Sequence, residues 1–554
     1  MTIGYGDAAA AVTAPGQRFE VGDLDIRGVT YRMFRNAPAS LRELFASARG
    51  RGDAPFLIYE DERWSFADVM RHVDAAGALL HERYGVRPGD RVAIAMRNYP
   101  EWVIAFAAIT SIGGISVSLN AWWTEDELDY ALGDSTPSVV VADAQRAALL
   151  AGPCSRHGAS LIAVRTPEPP VGAARWEDVL PLGAALPDVA IDPDDDATIL
   201  YTSGTTGHPK GAVSTHRAIV QALWGFGCRT AIERLRRPDE TAPSNPPAFI
   251  LVVPLFHVTG CVPVMLSCFS SGLKLVMMYR WEPERALELI ERERVTNFVG
   301  VPTQSWDLLE CPRFAAFDTS SLQSVGGGGA PAPPELVRRV ASNFGRGRPS
   351  IGYGMTETNG YGPQNSGPDY LSHPTSTGRG TPILELSIRD PEGRPVGTDD
   401  RGEIWFKGPH LIRGYWGSPD ATAETIVDGW LRSGDIGRMD AEGFVYVEDR
   451  AKDMVLRAGE NVYSAEVEAA LYEHPAVYEA AVFGVPHERL GEEVAAAVYP
   501  KPGVTVTVEE LQQFVGERLA AFKVPSRIAI IDAPLPRNAA GKVLKRQLRE
   551  ELAR

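Results

Sequence analysis

At 554 residues the chain is too long for a single hydrophobic core, so two or more domains are expected, the larger a composite of subdomains. Hydrophobic residues at 44% and charged residues at 23% exclude a disordered chain and a membrane-spanning one, and no apolar run reaches membrane-spanning length. A formal net charge of −16 argues against general nucleic-acid binding, so an anionic ligand has to be held by local donors.

Residues 1–50 carry no strong periodicity and read as an N-terminal extension wrapping the surface. They also lack the basic start and apolar stretch of a secretory signal, so a cytoplasmic location is expected. The pattern then alternates. A short strand pair FLIYEDERWSF, a helix over 66–84, a strand over 91–96, a helix over 100–112 and a strand over 115–119 come first. A helix over 125–132 and strands over 138–142 and 161–164 lead to an apolar strand ending at Tyr201.

Residues 201–212, YTSGTTGHPKGA, follow, and the residues from 215 to 226 read as a helix, so a strand-to-helix loop is expected. Gly204, Gly207 and Gly211 free the backbone to point N–H groups at an anion. Thr202, Ser203, Thr205 and Thr206 add hydroxyl donors, and Lys210 adds charge. Phosphate binding follows from that composition, but two common phosphate loops are excluded. The Walker spacing fails because Lys210 stands between Pro209 and Gly211, and the later Gly541-Lys542 is followed by Val543. The run Gly326 to Gly329 fails as a dinucleotide fingerprint, its sixth position being Pro331.

Beyond the loop come an apolar run over 249–256, a strand over 273–278, a helix over 283–294 and strands over 297–300 and 322–325. A helix over 334–344 and a strand at 350–352 complete a pattern that fits a parallel sheet. From about residue 377 short Gly- and Pro-rich strands such as GEIWFKG, LIRGYW and GFVYVEDR suggest a small barrel-like subdomain without helices. The character shifts again at EDRAKD, which places a domain boundary at 448–453 and a mixed α+β domain over 454–554. The five cysteines are scattered with no CxxC pair, which argues against a disulfide framework or a zinc site.

Five further constellations carry chemistry. PLFHVTG sets His257 at the end of an apolar strand, a structural position or a ligand-binding one. GYGMTET, followed by Asn359, offers Tyr353 to stack on a base and Glu357 to bind a hard cation bridging phosphates. SVGGGGAP removes side chains at four successive positions, as a tight turn or as a face along which a flat ligand lies on backbone. Ser433-Gly434-Asp435 provides a carboxylate able to accept both hydroxyls of a ribose, and Arg450 follows. PRNAAGKVLKRQL presents Lys542 on a loop before a basic helix.

Taken together and in this order, the motifs resemble the adenylate-forming superfamily of acyl-CoA synthetases, 4-coumarate:CoA ligases, firefly luciferase and nonribosomal adenylation domains, from about residue 50 to the C-terminus. The resemblance implies an α/β fold, with a large N-terminal domain over 51–447 of two parallel α/β subdomains and a small β-barrel-like one, and a mobile C-terminal domain over 454–554. It implies that Thr202, Ser203, Gly204, Thr205, Thr206, Gly207 and Lys210 hold the β- and γ-phosphates of ATP. Thr356 would contact the α-phosphate and Glu357 would bind Mg²⁺. Tyr353, Gly354 and the backbone of Gly328, Gly329 and Ala330 would border adenine, and Asp435 and Arg450 would hold the ribose. Lys452 would be the hinge, Gly459 would line the path of CoA, Lys542 would contact the reacting carboxylate, and His257 would count among the catalytic residues and the walls of the acyl pocket.

The implied reaction joins a small carboxylic acid to CoA through an acyl-adenylate. Amino-acid-activating relatives carry aspartate after the phenylalanine at 256, where this chain has His257, so a free amino acid is not expected. NAWWTEDEL looks like bacterial fatty acyl-CoA ligases, and a medium- or long-chain fatty acid is the first expectation. Aryl or other bulky acids stay open, because Trp224, Thr303, Trp306 and Gly327 equally shape a ring pocket. A carrier protein as acceptor, a homodimer, and a nucleotide-binding protein without turnover are the remaining alternatives.

Overall fold

The computed structural model describes residues 3–202, 209–237, 246–330, 332–450, 453–458, 460–538 and 541–552. Continuous apolar strands separated by amphipathic helices form two eight-stranded sheets. The first runs, in spatial order, Gly414–Tyr415, Lys210–Thr215, Asp196–Thr202, Ile115–Ser118, Arg91–Ala95, Val139–Asp143, Ser160–Val164 and Ala174–Arg175. The second runs Gln364–Ser366, Arg348–Gly352, Ser324–Gly328, Asn297–Gly300, Ala248–Leu251, Lys274–Met277, Pro55–Tyr59 and Glu62–Ser65. Both are parallel through their centres and antiparallel at one or both edges.

The helix Pro100–Ser111 is buried along its whole length, as an apolar helix placed within a continuous core has to be. Polar atoms entering that core are paired. The Asn98 amide donates to the carbonyls of Val253 (3.1 Å) and Met278 (3.2 Å) and accepts from the Leu255 amide (2.9 Å). One side chain thereby ties the end of a first-sheet strand to the ends of two second-sheet strands, and it fixes the turn leading to His257.

A five-stranded antiparallel sheet follows, built of Glu385–Arg389, Gly402–Lys407, Trp430–Met439, Ile426–Val427 and Val445–Arg450. After it comes a second five-stranded sheet, Glu460–Val462, Val455–Arg457, Gly491–Pro500, Val477–His487 and Arg527–Ile530, with its own hydrophobic clusters. No helix among the described residues is long and apolar enough to cross a membrane.

Four expectations change. The loop after Tyr201 joins two antiparallel strands, Asp196–Thr202 and Lys210–Thr215, and the helix His216–Arg236 begins only after the second. Lys210–Thr215 is apolar enough to sit in the sheet, so the loop is a hairpin tip rather than a helix N-terminus. The glycine run is not a turn. Gly326 to Gly328 lie in the strand Ser324–Gly328, paired on both sides. The antiparallel subdomain contains a helix, Pro419–Thr425, begun by a proline at its first position. A helix Ala144–His157, hidden in the sequence by an internal Gly-Pro, separates the strands Val139–Asp143 and Ser160–Val164.

The N-terminal extension is structured, with a helix Tyr5–Val12, a hairpin of Val21–Ile26 and Val29–Phe34, and a helix Leu41–Ala48. Its anchor is Gln221, whose buried amide accepts from the Phe34 N–H (2.8 Å) and donates to the Phe34 carbonyl (3.0 Å). Gln221→Ala strands two buried backbone groups, so it should destabilise the N-terminal domain by about 2 kcal/mol, measured as a lower denaturation midpoint.

Candidate active site

The hairpin strands Asp196–Thr202 and Lys210–Thr215, the turn Thr356–Thr358, the strand Trp430–Met439 and a loop of the C-terminal domain carry the candidate residues. Thr202 and Lys210 face each other across the hairpin, the Thr202 hydroxyl donating to the Lys210 carbonyl at 3.4 Å. Ser203, Gly204, Thr205, Thr206 and Gly207 lie outside the described residues, as do Lys452 and Gly459. Lys210 sends its ammonium over the ring of Tyr415, 5.4 Å from the centroid, and the Tyr415 hydroxyl donates to Glu357 Oε1 at 2.7 Å. Burial, with Glu357 beside it, pushes the Tyr415 hydroxyl well above its ordinary range and keeps it a donor.

Glu357 sits in the single helical turn Thr356–Thr358, and its backbone carbonyl accepts from the Ile412 N–H at 3.0 Å. Asn359 closes the turn in the left-handed region at φ 54°. Its buried amide accepts from the Ser214 hydroxyl (2.9 Å) and donates to the His410 carbonyl (2.9 Å), so the end of the motif is a strut between the hairpin and the loop before Tyr415. Thr356 and Gly354 are half-buried, and a Cβ at Gly354 would come within 2.9 Å of the Gly360 backbone.

Tyr353 donates its hydroxyl to Asp435 Oδ2 at 2.6 Å, and Arg450 approaches Asp435 Oδ1 at 3.5 Å. The pairing follows from register, because Asp435 and Arg450 are direct partners on the strands Trp430–Met439 and Val445–Arg450. Burial raises the Asp435 carboxyl, while Arg450 and the Tyr353 hydroxyl pull it down. Gly434, at φ 71°, turns the chain so that the Ser433 hydroxyl accepts from the Asp435 N–H at 3.0 Å.

Lys542 arrives from the C-terminal domain. Its loop is folded on Asn538, whose side-chain oxygen accepts from the Lys542 N–H at 3.0 Å and whose backbone N–H donates to the Lys542 carbonyl at 2.9 Å. The loop closes on the N-terminal domain at Gly541, where a Cβ would lie 2.9 Å from Val301 Cγ2. A Cβ at Gly329 would lie 3.9 Å from Lys542 Cε. Burial, with Arg450 nearby, lowers the Lys542 ammonium to about 8 against the opposing pull of Asp435 and Glu357. The His257 ring is held neutral, lowered to about 3 by burial and by Lys542, and its Nδ1 accepts from the Thr259 N–H at 3.3 Å, which leaves the ring hydrogen on Nε2.

The glycine strand lies alongside. A side chain at Gly326 would strike Ser350, and one at Gly328 would press on the Gly352 carbonyl, but beside Gly327 the space is open to 3.9 Å. Ala330 follows, half-buried, and Thr303 opens the helix Pro302–Leu309. Trp224 lies in the helix His216–Arg236, with the Arg18 guanidinium 5.7 Å from its ring and its indole N–H buried without a partner among the described residues. Trp306 stands elsewhere. Its ring lies 4.9 Å from the Arg339 guanidinium and lines a cavity of about 450 Å³ shared with Tyr478 and Lys501 of the C-terminal domain, which neither His257 nor Gly327 borders.

Lys210 reaches Glu357 through Tyr415, Arg450 pairs with Asp435, and Lys542 interacts with Arg450, Asp435 and Glu357, so three cations and two carboxylates are gathered in an arrangement suited to a polyanion carrying a sugar. Among the described residues no group of three or more metal-ligating side chains occurs. Glu357 supplies one carboxylate, which fits a hard cation that takes its other ligands from phosphate oxygens and water. Sequence reasoning missed Tyr415 and Asn98. The only trace of Tyr415 was an aromatic pair in LIRGYW, which says nothing of a partner 58 positions away.

Residues 44–416 match the model of the AMP-binding enzyme family, and residues 466–542 match that of the AMP-binding enzyme C-terminal domain. A feruloyl-CoA synthase of Amycolatopsis sp is 35% identical over 494 residues, 88% of this chain and 93% of the relative. A long-chain-fatty-acid–CoA ligase of Bacillus subtilis (strain 168) is 32% identical over 544 residues, covering 90% and 92%. Among solved structures, ATP-bound MatB from Rhodopseudomonas palustris is 30% identical with a TM-score of 0.80, covering 92% of this chain and 99% of that one.

The charges around Lys542 make a prediction of opposite signs. Labelling of its amine by an acylating reagent, followed by mass spectrometry across pH, should show a midpoint near 8. Asp435→Asn should move that midpoint down and Arg450→Gln should move it up; shifts in the same direction would show that the two side chains do not act on the ammonium electrostatically.

Proposed function

The chain belongs to the AMP-binding enzyme family, and from that premise we propose that it is an ATP-dependent, AMP-forming acyl-CoA ligase that activates a carboxylic acid and passes the acyl group to CoA. The observation that carries this reading is the delivery of Lys542 by the C-terminal domain to Gly329, where its ammonium interacts with Glu357 and Asp435.

A carboxylate is a poor acyl donor because its leaving group would be oxide. Attack of one carboxylate oxygen on the α-phosphorus of ATP forms the acyl-adenylate and expels pyrophosphate, which turns that oxygen into part of a good leaving group. The two reactants repel each other, so the site has to supply positive charge. Lys542 meets the carboxylate and the bridging region, Lys210 and the hairpin hydroxyls hold the departing phosphates, and Thr356 holds the α-phosphate. Mg²⁺ held at Glu357 would neutralise phosphate charge. Tyr415 fixes the orientation of Glu357. Asp435 accepts the ribose hydroxyls with Arg450 beside it, and Tyr353 with Gly354 and the Gly328 to Ala330 backbone borders the base. In the second step the CoA thiolate attacks the acyl carbon and AMP leaves. We assign Gly459 to the thiol's path and Lys452 to the hinge about which the C-terminal domain turns between the steps, on the family resemblance alone.

Neutral His257 and the absence of an aspartate after Phe256 leave an ammonium without a countercharge, which disfavours amino acids. The open space beside Gly327, with Thr303 and Trp224 as further candidate walls, takes an apolar tail, and a medium- or long-chain fatty acid is the first reading of the substrate. An aryl-propenoic acid is the second, favoured by the feruloyl-CoA synthase relative. Pyrophosphate release on a panel of both acid classes, with and without CoA and with products weighed by mass spectrometry, tests the whole reading. Turnover that stops at acyl-AMP in the presence of CoA would point to a carrier protein as acceptor.

Lys542→Ala should lower pyrophosphate release by about 10²- to 10³-fold while sparing thioester formation from a supplied acyl-adenylate. Loss of both steps in a folded variant would remove the assignment. Lys452→Pro should reverse that order, harming the thioester step more than adenylation.

A further inference from the structure

Lys542 can work only if the C-terminal domain sits in one orientation, and a chain of hydrogen bonds runs from the N-terminal domain to its loop. Asp307, in the helix Pro302–Leu309, accepts from the Trp281 indole N–H on Oδ2 at 2.8 Å and from the Tyr478 hydroxyl on Oδ1 at 3.0 Å. Tyr478 belongs to the other domain. It falls at a register break in the strand Val477–His487, where Val477 pairs with Pro500 and Glu479 with Tyr499, so Tyr478 is the extra residue of a bulge. Bulges re-aim a side chain out of the regular alternation, and here the ring is aimed at Asp307.

The next residue continues the chain. Glu479 is buried and uses both oxygens, Oε2 accepting from the Leu535 N–H at 2.8 Å and Oε1 pairing with Arg537 at 3.0 Å. Arg537 donates in turn to the carbonyl of Gly541 at 2.8 Å, directly before Lys542. Trp281, Asp307, Tyr478, Glu479, Arg537 and Gly541 therefore form a continuous path from the face of one domain to the lysine of the other.

We propose that Asp307 is a positioning residue for adenylate formation: its hydrogen bond to Tyr478 registers the C-terminal domain on the N-terminal domain, and Glu479 and Arg537 carry that registration to Lys542. This rests on the ligase reading above. Because its two halves belong to different domains, the Asp307–Tyr478 bond exists only in this arrangement and breaks when the domain turns for the second step. It therefore weights the population toward the first step. The links within the C-terminal domain travel with it, so they shape the loop without choosing the orientation.

The test uses the full chain and measures the two half-reactions separately. Tyr478→Phe keeps the ring and removes the donor, and Asp307→Leu keeps the approximate size and removes both acceptor oxygens. Each should lower pyrophosphate release about tenfold, the worth of a hydrogen bond to a charged group, with the loss in kcat more than in KM for the acid. Thioester formation from supplied acyl-adenylate should hold or rise. The double variant should be no worse than the Asp307 variant alone, since that change already removes the acceptor of the Tyr478 hydroxyl. Amide hydrogen exchange, which needs no substrate, should rise in both variants over residues 302–309 and 477–481 while the remaining sheets keep their protection. Equal loss of both half-reactions, or unchanged adenylation with unchanged exchange, overturns the latch. Wild-type chain that releases no pyrophosphate with any acid instead overturns the ligase reading, and a rise in exchange at that interface would then leave a domain contact with no catalytic role.

Discussion

An ammonium held among Asp435, Glu357 and Arg450 is the constraint on which the rest of the structure depends. Burying a lysine costs free energy, and this one comes from the C-terminal domain, so the contact between the domains has to offset that cost. The chain meets it by placing carboxylates on the strand Trp430–Met439 and the turn Thr356–Thr358 and by stripping side chains from the approach. Gly541 fits against Val301 with no room for a Cβ, and Gly329, at φ 75°, leaves the backbone open under the lysine stem. Larger residues at either glycine would hold the ammonium away from its countercharges.

Buried polar side chains keep the dock rigid. Asn98 joins the strand ends of the two large sheets, and Asn359 joins the hairpin to the loop that carries Tyr415. Both amides satisfy backbone groups that turns at strand ends leave unpaired. The result is a set of loops whose positions are fixed by hydrogen bonds within the N-terminal domain, independent of where the C-terminal domain lies.

The joint between the domains divides its two neighbours. Arg450 faces back to Asp435, whereas Asp449 accepts from the N–H and hydroxyl of Ser464, at 2.5 and 2.9 Å, in the C-terminal domain. Lys545 extends that second network, donating to Ser464 Oγ at 2.8 Å and pairing with Glu468 at 2.8 Å. Adjacent residues of one strand thus answer to different domains.

The sequence by itself determined the element types, the two-domain plan and the chemical inventory, because strand and helix periodicity and dense Gly, Thr and Lys motifs are local signals. It misread the connection after Thr202 for the same reason, and it left the glycine run open between a turn and a face for a flat ligand. KGAVST and SVGGG carry little strand character of their own, and only pairing with Asp196–Thr202 or with the strands beside Ser324–Gly328 makes them extended. Its expectation for Trp306 treated an aromatic residue one turn after Thr303 as part of the same wall, whereas the helix turns that ring to the domain interface. Tertiary structure alone decided the partners: Tyr415 for Glu357, Tyr353 for Asp435, and Tyr478 for Asp307, 171 positions away. Hydrogen bonds between distant side chains depend on register and on domain orientation, and neither leaves a periodic trace in the chain.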